Sequence, residues 1–345
     1  MHPRQVLLGA AAAAGVIPVC DHYSGVEARM VKSLALQARM SQEFGACVFD
    51  VSLDCEDGAP VGREKQHADM VVALANQSFS AARDIKPRIA ARVHPVDHAS
   101  FESDVSIIVG GAGQTLCHLM IPKVESVADV ERAIAAVDRA ASRRSNPLPL
   151  HVLIESPAAV HRAFDIAAHP RVQSLSFGMM DFVSAHAGAI PASAMASDAA
   201  SMAEGLGQFS HPLITRAKLE IASACHAFGR VPSHCVVTEF TDEAAMKMAA
   251  LRAAREFGFT RMWSIHPNQI RPILEAFAPS AAEVDEATAI VVAAEHADWA
   301  PIKAEGRLHD RASYRYYWQV LERAHQSGRA LPSSARGYFA SDVHY

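Results

Sequence analysis

Basic charge is in short supply. The chain has 345 residues, and 32 Lys and Arg stand against 37 Asp and Glu, for a formal net charge of −5. It therefore lacks the cationic footprint that a nucleic-acid binder sets against phosphate. Cysteine is sparse, and Cys20, Cys47, Cys55, Cys117, Cys225 and Cys235 form no C-x-x-C pair. That removes zinc-ribbon and thioredoxin-type chemistry and leaves small buried thiols in a reducing compartment. Aromatic residues reach only 7%, so helices packed through alanine and other small residues are expected. No run reaches the roughly 18 consecutive apolar residues of a membrane helix. Residues 6–20, with His2 and Arg4 ahead, have the hydrophobicity of a leader core. No small-x-small cleavage pattern precedes a polar start, however, and the run flows into Val16-Ile-Pro-Val-Cys20, which reads as a strand. The expectation is a cytoplasmic protein.

What the chain has instead is a regular alternation of short β-like runs with longer helical ones. Strands are predicted over 16–20, 47–53, 88–93, 116–121, 151–154, 174–177, 235–238 and 262–265. Helices are predicted over 26–44, 63–77, 101–109, 126–141, 158–168, 213–228, 243–257 and 270–277. Eight βα units imply parallel strands with crossover helices, hence a closed (β/α)8 TIM barrel. An open doubly wound sheet would want a Gly-rich phosphate turn after its first strand. Cys20-Asp-His-Tyr-Ser-Gly25 is no G-x-G-x-x-G. The small residues of 182–210 read as an insertion. The expected organisation is a barrel over 1–280, a C-terminal helical extension or lid over 281–331, and a weakly structured tail over 332–345.

Chemistry in a parallel barrel sits where strands end and βα loops begin. Those positions hold Glu56 and Asp57 after the second strand, Arg92 after the third, Lys123 and Glu125 after the fourth, Glu155 after the fifth, Asp181 after the sixth and His266 after the eighth. Carboxylates gathered on one rim repel unless a proton or a cation is shared. An oxygen-rich set without paired His or Cys favours Mg²⁺ or Mn²⁺ over zinc. Glu155 and Asp181, each directly ending an apolar strand, are the metal-ligand candidates. The bland alternatives are a helix cap or an Arg pair for each carboxylate, turn chemistry for Asp57-Gly58, and loop orientation for His266-Pro267.

The ordered set Val51-Ser-Leu-Asp-Cys-Glu-Asp-Gly-Ala59, Ala91-Arg-Val93, Ile121-Pro-Lys-Val-Glu-Ser126, Leu153-Ile-Glu-Ser156, Phe177-Gly-Met-Met-Asp-Phe182 and Ser264-Ile-His-Pro-Asn-Gln-Ile270 resembles the HpcH/HpaI aldolase and citrate lyase beta-subunit-like family. Phe277-Ala-Pro-Ser280 and Glu305-Gly-Arg-Leu-His-Asp310 extend the likeness, which covers roughly residues 45–312. The resemblance implies a barrel that makes or breaks a C–C bond beside a carbonyl with Mg²⁺, on malyl-CoA-like thioesters. It makes Glu155 and Asp181 the metal ligands, gives Arg92 the substrate carboxylate or carbonyl oxygen, sets Glu56 and Asp57 on metal-bound water, and places Glu125 nearby. Lys123 and His266 join Arg92 as substrate-binding candidates. It further implies a homotrimer or hexamer in which Asp310, read alone as a solvated helix-start carboxylate, crosses to a neighbour's site as acid or base. The sequence departs from the family in three places: the segment after the first strand has no Arg, His94 replaces an Asn, and Met180 replaces an acidic residue. The rival readings are an aldolase of class II type acting on a free 2-oxo or hydroxy acid, and a non-catalytic ligand-binding or complex-forming subunit.

Overall fold

The strand Phe49–Asp54 reads Phe-Asp-Val-Ser-Leu-Asp, and all six residues are buried. One face of such a strand must pack on helices and the other inside a closed sheet, so the alternation here is apolar outward and polar inward. The computed structural model describes residues 2–9, 17–141, 146–197, 201 and 204–339. Eight parallel strands close into one barrel in chain order: β1 (Cys20–Ser24), β2 (Phe49–Asp54), β3 (Ile89–Arg92), β4 (Leu116–Ile121), β5 (Leu150–Ile154), β6 (Val172–Phe177), β7 (Val231–His234) and β8 (Arg261–Ser264). β8 pairs back onto β1, with Asp21 opposite Trp263. The TIM-barrel expectation holds.

A short helix α1 (Pro3–Leu8) precedes β1. The crossover helices are α2 (Glu27–Phe44), α3 (Glu64–Ala81), α4 (Phe101–Ala112), α5 (Val127–Ala140), α6 (Pro157–His161), α7 (Ala163–Ala168), α8 (Met179–Ser184), α9 (Pro212–Ala227), α10 (Glu243–Arg255) and α11 (Ile270–Phe277). Their apolar stripes and the outward strand residues make one continuous core, from Met30 and Phe49 round to Ile273. The predicted helix over 158–168 is two pieces, broken at Arg162. The first strand is 20–24 rather than 16–20, and the seventh 231–234 rather than 235–238. Residue 16, residues 198–200, 202 and 203 of the expected insertion, and 340–345 of the tail lie outside the described residues.

The barrel interior is layered. At its floor the Arg261 guanidinium lies 2.7 Å from Asp50 and 3.0 Å from Asp21, and Arg88 lies 2.6 Å from Asp50. Beside them the rings of His118 and His151 stack, with centroids 3.5 Å apart. Asp21, His118 and His151 converge closely enough for their ligand atoms to reach one ion. Arg261 already supplies the cation there, and two flat-stacked imidazoles cannot both direct a lone pair in-plane at one ion. Met120, Leu153 and Trp263 form an apolar layer of their own, and the strand ends open above it.

Beyond the barrel, α12 (Ala281–His296), the hairpin β9 (Ile302–Ala304) and β10 (Arg307–His309), α13 (Arg311–Gln326) and α14 (Ser333–Arg336) share a separate apolar cluster with α1. Ser280 and Glu283 start α12 with a reciprocal capping box. Trp318 and Tyr314 are fully buried in this cluster, while Tyr316 is exposed, so most of the aromatic helix forms its own core. Residues 332–339 are more ordered than expected: Ala335 is buried and Phe339 stacks flat on Trp318 at 5.3 Å. Among the described residues no helix is long and apolar enough to cross a membrane.

Candidate active site

The register of β2 and β3 places Asp54 opposite Arg92 at the carboxyl ends of both strands. Arg92 donates from Nε to Asp54 Oδ1 at 2.6 Å and from Nη2 to Oδ2 at 2.9 Å, a bidentate fork. Its Nη1 lies 2.9 Å from Glu56 Oε2. Lys123 donates to Glu56 Oε1 at 2.6 Å and lies 3.6 Å from Asp57. Lys123 has a left-handed backbone with φ of 52°, a conformation that costs a side-chain-bearing residue energy and that gathers at functional sites. Although burial works against it, contact with Glu56 holds Lys123 protonated above its ordinary range.

Glu155 follows β5 and is buried, and its Oε2 atom has no hydrogen-bond partner. Burial, then the charge of Asp181, pushes its carboxyl up to about 8, against the pull of Arg92. Gly178, which joins β6 to α8, makes this seat possible, since a Cβ there would lie 2.4 Å from Glu155 Cγ. Burial lowers Arg92 to about 10, while Glu155 and then Asp181 oppose the loss of its charge. Glu56, Asp57, Arg92, Lys123, Glu155 and Asp181 therefore form one electrostatic cluster over the barrel mouth.

The other expected residues stand differently. Glu125 engages through its backbone, donating to Asp129 and accepting from Arg162. His266 accepts the N–H of Asn268 and stacks on Phe240 at 4.8 Å, so its visible contacts orient its own loop. Asp310 is exposed and caps α13, accepting from Ala312 and Ser313. No hydrogen bond or ion pair of the rim cluster includes it among the described residues. His94 is turned toward α4, where its Nδ1 lies 2.5 Å from Asp104.

Two contributors were given no role by the sequence reading. Asp54 is the direct partner of Arg92, and the parity of Asp50, Ser52 and Asp54 on one strand could have placed it inside the barrel. Tyr23 lies on β1 with the Arg92 guanidinium 4.5 Å from its ring centroid. Assigned to a loop, it carried no signal.

A closed βα barrel whose strand ends carry paired carboxylates, an Arg fork and a Lys defines a class, and residues 33–267 match the model of the HpcH/HpaI aldolase/citrate lyase family. The chain belongs to that family, whose relatives make it a carbon–carbon lyase. An L-malyl-CoA/beta-methylmalyl-CoA lyase of Cereibacter sphaeroides is 29% identical over 296 residues, covering 82% of this chain and 90% of the relative. A crystal structure of a citrate lyase from Burkholderia xenovorans LB400 is 46% identical, covers 99% of both chains and superposes with a TM-score of 0.78. Mycobacterium tuberculosis CitE, solved with magnesium, acetoacetate and coenzyme A, is 21% identical, with a TM-score of 0.62 over 90% of this chain and 98% of that one. That last likeness is one of fold.

Proposed function

We propose that this chain is a Mg²⁺-dependent lyase, with Mn²⁺ able to serve, acting on a malyl-, citramalyl- or citryl-CoA-like thioester. The observation that carries the reading is the Glu155 carboxylate, buried, with one oxygen unpartnered and a second carboxylate acting on it. Either a proton or a cation must balance such a group. Oxygen donors alone suit Mg²⁺, and magnesium accompanies the ligands in the CitE structure. Held by Glu155 and Asp181, the ion would supply positive charge against the enolate oxygen that develops as the C–C bond breaks.

The protein groups divide the rest. Arg92 keeps N–H donors that neither Asp54 nor Glu56 engages, and these bind the substrate carboxylate or carbonyl oxygen. Glu56 and Asp57 hold water at the rim with Glu125 nearby, while Lys123 and His266 join Arg92 in binding the substrate. Asp310, brought over the mouth by a neighbouring subunit of a homotrimer or its multiple, takes the hydroxyl proton. The electrons of the breaking bond pass to the thioester carbonyl, and a proton returns at the α-carbon, releasing an oxo acid and a shortened acyl thioester. One observation favours a second reading: the chain leaving β1 is Ser24-Gly25, without an Arg for a CoA phosphate. The same chemistry would then act on a free 2-oxo or 3-hydroxy acid.

The test is cleavage of malyl-, citramalyl- and citryl-CoA and of a free 4-hydroxy-2-oxo acid with Mg²⁺, reading the oxo acid as its phenylhydrazone. Thioester cleavage supports the first reading and free-acid cleavage alone the second. No cleavage of either, with no Mg²⁺ bound in calorimetry, would leave a non-catalytic subunit.

A further inference from the structure

We propose that Tyr23 is a positioning residue for Arg92, the carrying member of an aromatic shelf that spans the barrel under the site. The inference rests on the reading of Arg92 as the substrate-binding cation. Register sets the geometry: Tyr23 pairs with Ser52, and Asp54, two residues further along, pairs with Arg92. The Arg92 side chain thus folds back over the ring of Tyr23, at 4.5 Å from its centroid. The ring in turn stacks on Trp263 at 5.6 Å with planes 27° apart. Trp263 is pinned, since its Nε1 donates to Ser176 Oγ at 3.1 Å and it is buried. Ser176 of β6, Trp263 of β8, Tyr23 of β1 and Arg92 of β3 therefore form one continuous support.

The physical need for it is specific. Asp54 and Glu56 fix the guanidinium through its N–H directions, which lie in its own plane. Neither resists tilting out of that plane as strongly as an aromatic face does. The desolvated guanidinium also recovers attraction from the ring that it has lost from water. The loops that flank the shelf approach closely, since a Cβ on Gly25 would lie 2.0 Å from Gly58 O.

The shelf acts through the face of the ring, which separates it from a role for the phenol hydroxyl. Tyr23→Phe keeps the face and should hold kcat/KM within about threefold. Tyr23→Leu should lower kcat/KM about tenfold, equivalent to about 1.4 kcal/mol, raising KM and lowering kcat together, the pattern expected of Arg92→Lys. The double variant Tyr23→Leu/Arg92→Lys should be no worse than Arg92→Lys alone, the non-additivity of residues acting through one another. Two readouts do not depend on turnover. Calorimetry with oxaloacetate and Mg²⁺ should show weaker binding to Tyr23→Leu than to wild type. Its crystal structure should show the Arg92 fork displaced from Asp54. Should Tyr23→Leu not fold, Ser176→Ala, which only unpins Trp263, should still weaken oxaloacetate binding two- to threefold. Additive double-variant losses, equal damage from Phe and Leu, an undisplaced Arg92 fork or unweakened oxaloacetate binding would each overturn the role. A wild-type enzyme that cleaves nothing tested would count against the proposed function alone, because the Arg92 geometry in Tyr23→Leu still decides the shelf.

Discussion

Removing Glu155 takes away a carboxylate that is buried, unpartnered on one oxygen and pushed up to about 8 by burial and then Asp181. Such a group costs the apo fold something, so Glu155→Ala should hold or raise the thermal midpoint. Both Glu155→Ala and Asp181→Ala should lose turnover and Mg²⁺ affinity in calorimetry, because too few anionic oxygens remain to offset dehydration of the ion. Normal Mg²⁺ affinity in the two variants would end their assignment as ligands. Arg92 poses the opposite case, since its charge is already paired in the free protein. Arg92→Lys keeps a cation but loses the fork to Asp54, with which Arg92 makes bonds of 2.6 and 2.9 Å. We expect kcat/KM to fall about 100-fold, roughly 2.7 kcal/mol, shared between KM and kcat. Wild-type kinetics for Arg92→Lys would make Arg92 structural.

At the level of elements, the turn from β6 into α8 has the least freedom. Gly178→Ala would drive a methyl into Glu155 Cγ, 2.4 Å away. The carboxylate must shift, and Mg²⁺ affinity should drop about tenfold or more without loss of the barrel's circular dichroism. Unaltered affinity would show that the seat has slack. The elements also show what was legible in the sequence. β2, β3, β4, β5, β6 and β8 were found to within a few residues because their outward apolar positions are bounded by turns or charge. β1 and β7 slipped by four residues for a common reason. Their true spans, Cys-Asp-His-Tyr-Ser and Val-Pro-Ser-His, carry polar groups for the barrel interior. The neighbouring Val16-Ile-Pro-Val-Cys20 and Cys235-Val-Val-Thr238 offer more β-branched residues, so propensity lost to tertiary context. The same slip hid Tyr23 from the site. The rim carboxylates were legible because strand ends are the positions a barrel reserves for chemistry. Pairings that run across strands, such as Asp54 with Arg92, needed the register.

For the whole molecule, the buried imidazoles of the barrel wall and floor give stability a pH dependence of their own. Burial holds His151 down to about 3, His22 to about 4, and His118 well below its ordinary value. These imidazoles stay neutral in the fold, while the unfolded chain takes up protons below about pH 6.5. The contribution of these three imidazoles is therefore full above that pH and declines as pH falls toward the folded values, by up to about 1.4 kcal/mol per pH unit for each group. Glu155, pushed up to about 8, acts in the opposite sense. On going from pH 7.5 to 5.5 the urea midpoint of His151→Phe should lose less than that of wild type; an identical change in both would refute the buried neutral state of His151. Assembly is the remaining question at this scale. Asp310 is exposed, and among the described residues its side chain caps α13. A cap loses little on its own, so Asp310→Ala should cost about 1 kcal/mol of stability. If the carboxylate also serves a neighbour's site, the variant should be inactive despite an intact Glu155 and Asp181. Glu155→Ala chains, inactive for lack of a cation seat, still carry an intact Asp310. Mixed with Asp310→Ala chains, they can build hybrid sites in which one subunit supplies the barrel mouth and the other the Asp. Activity should then return to a fraction of wild type after subunit exchange, tracked by mass spectrometry of the mixed oligomer. Exchange without recovered activity would confine Asp310 to its own chain, and its role to the helix it caps.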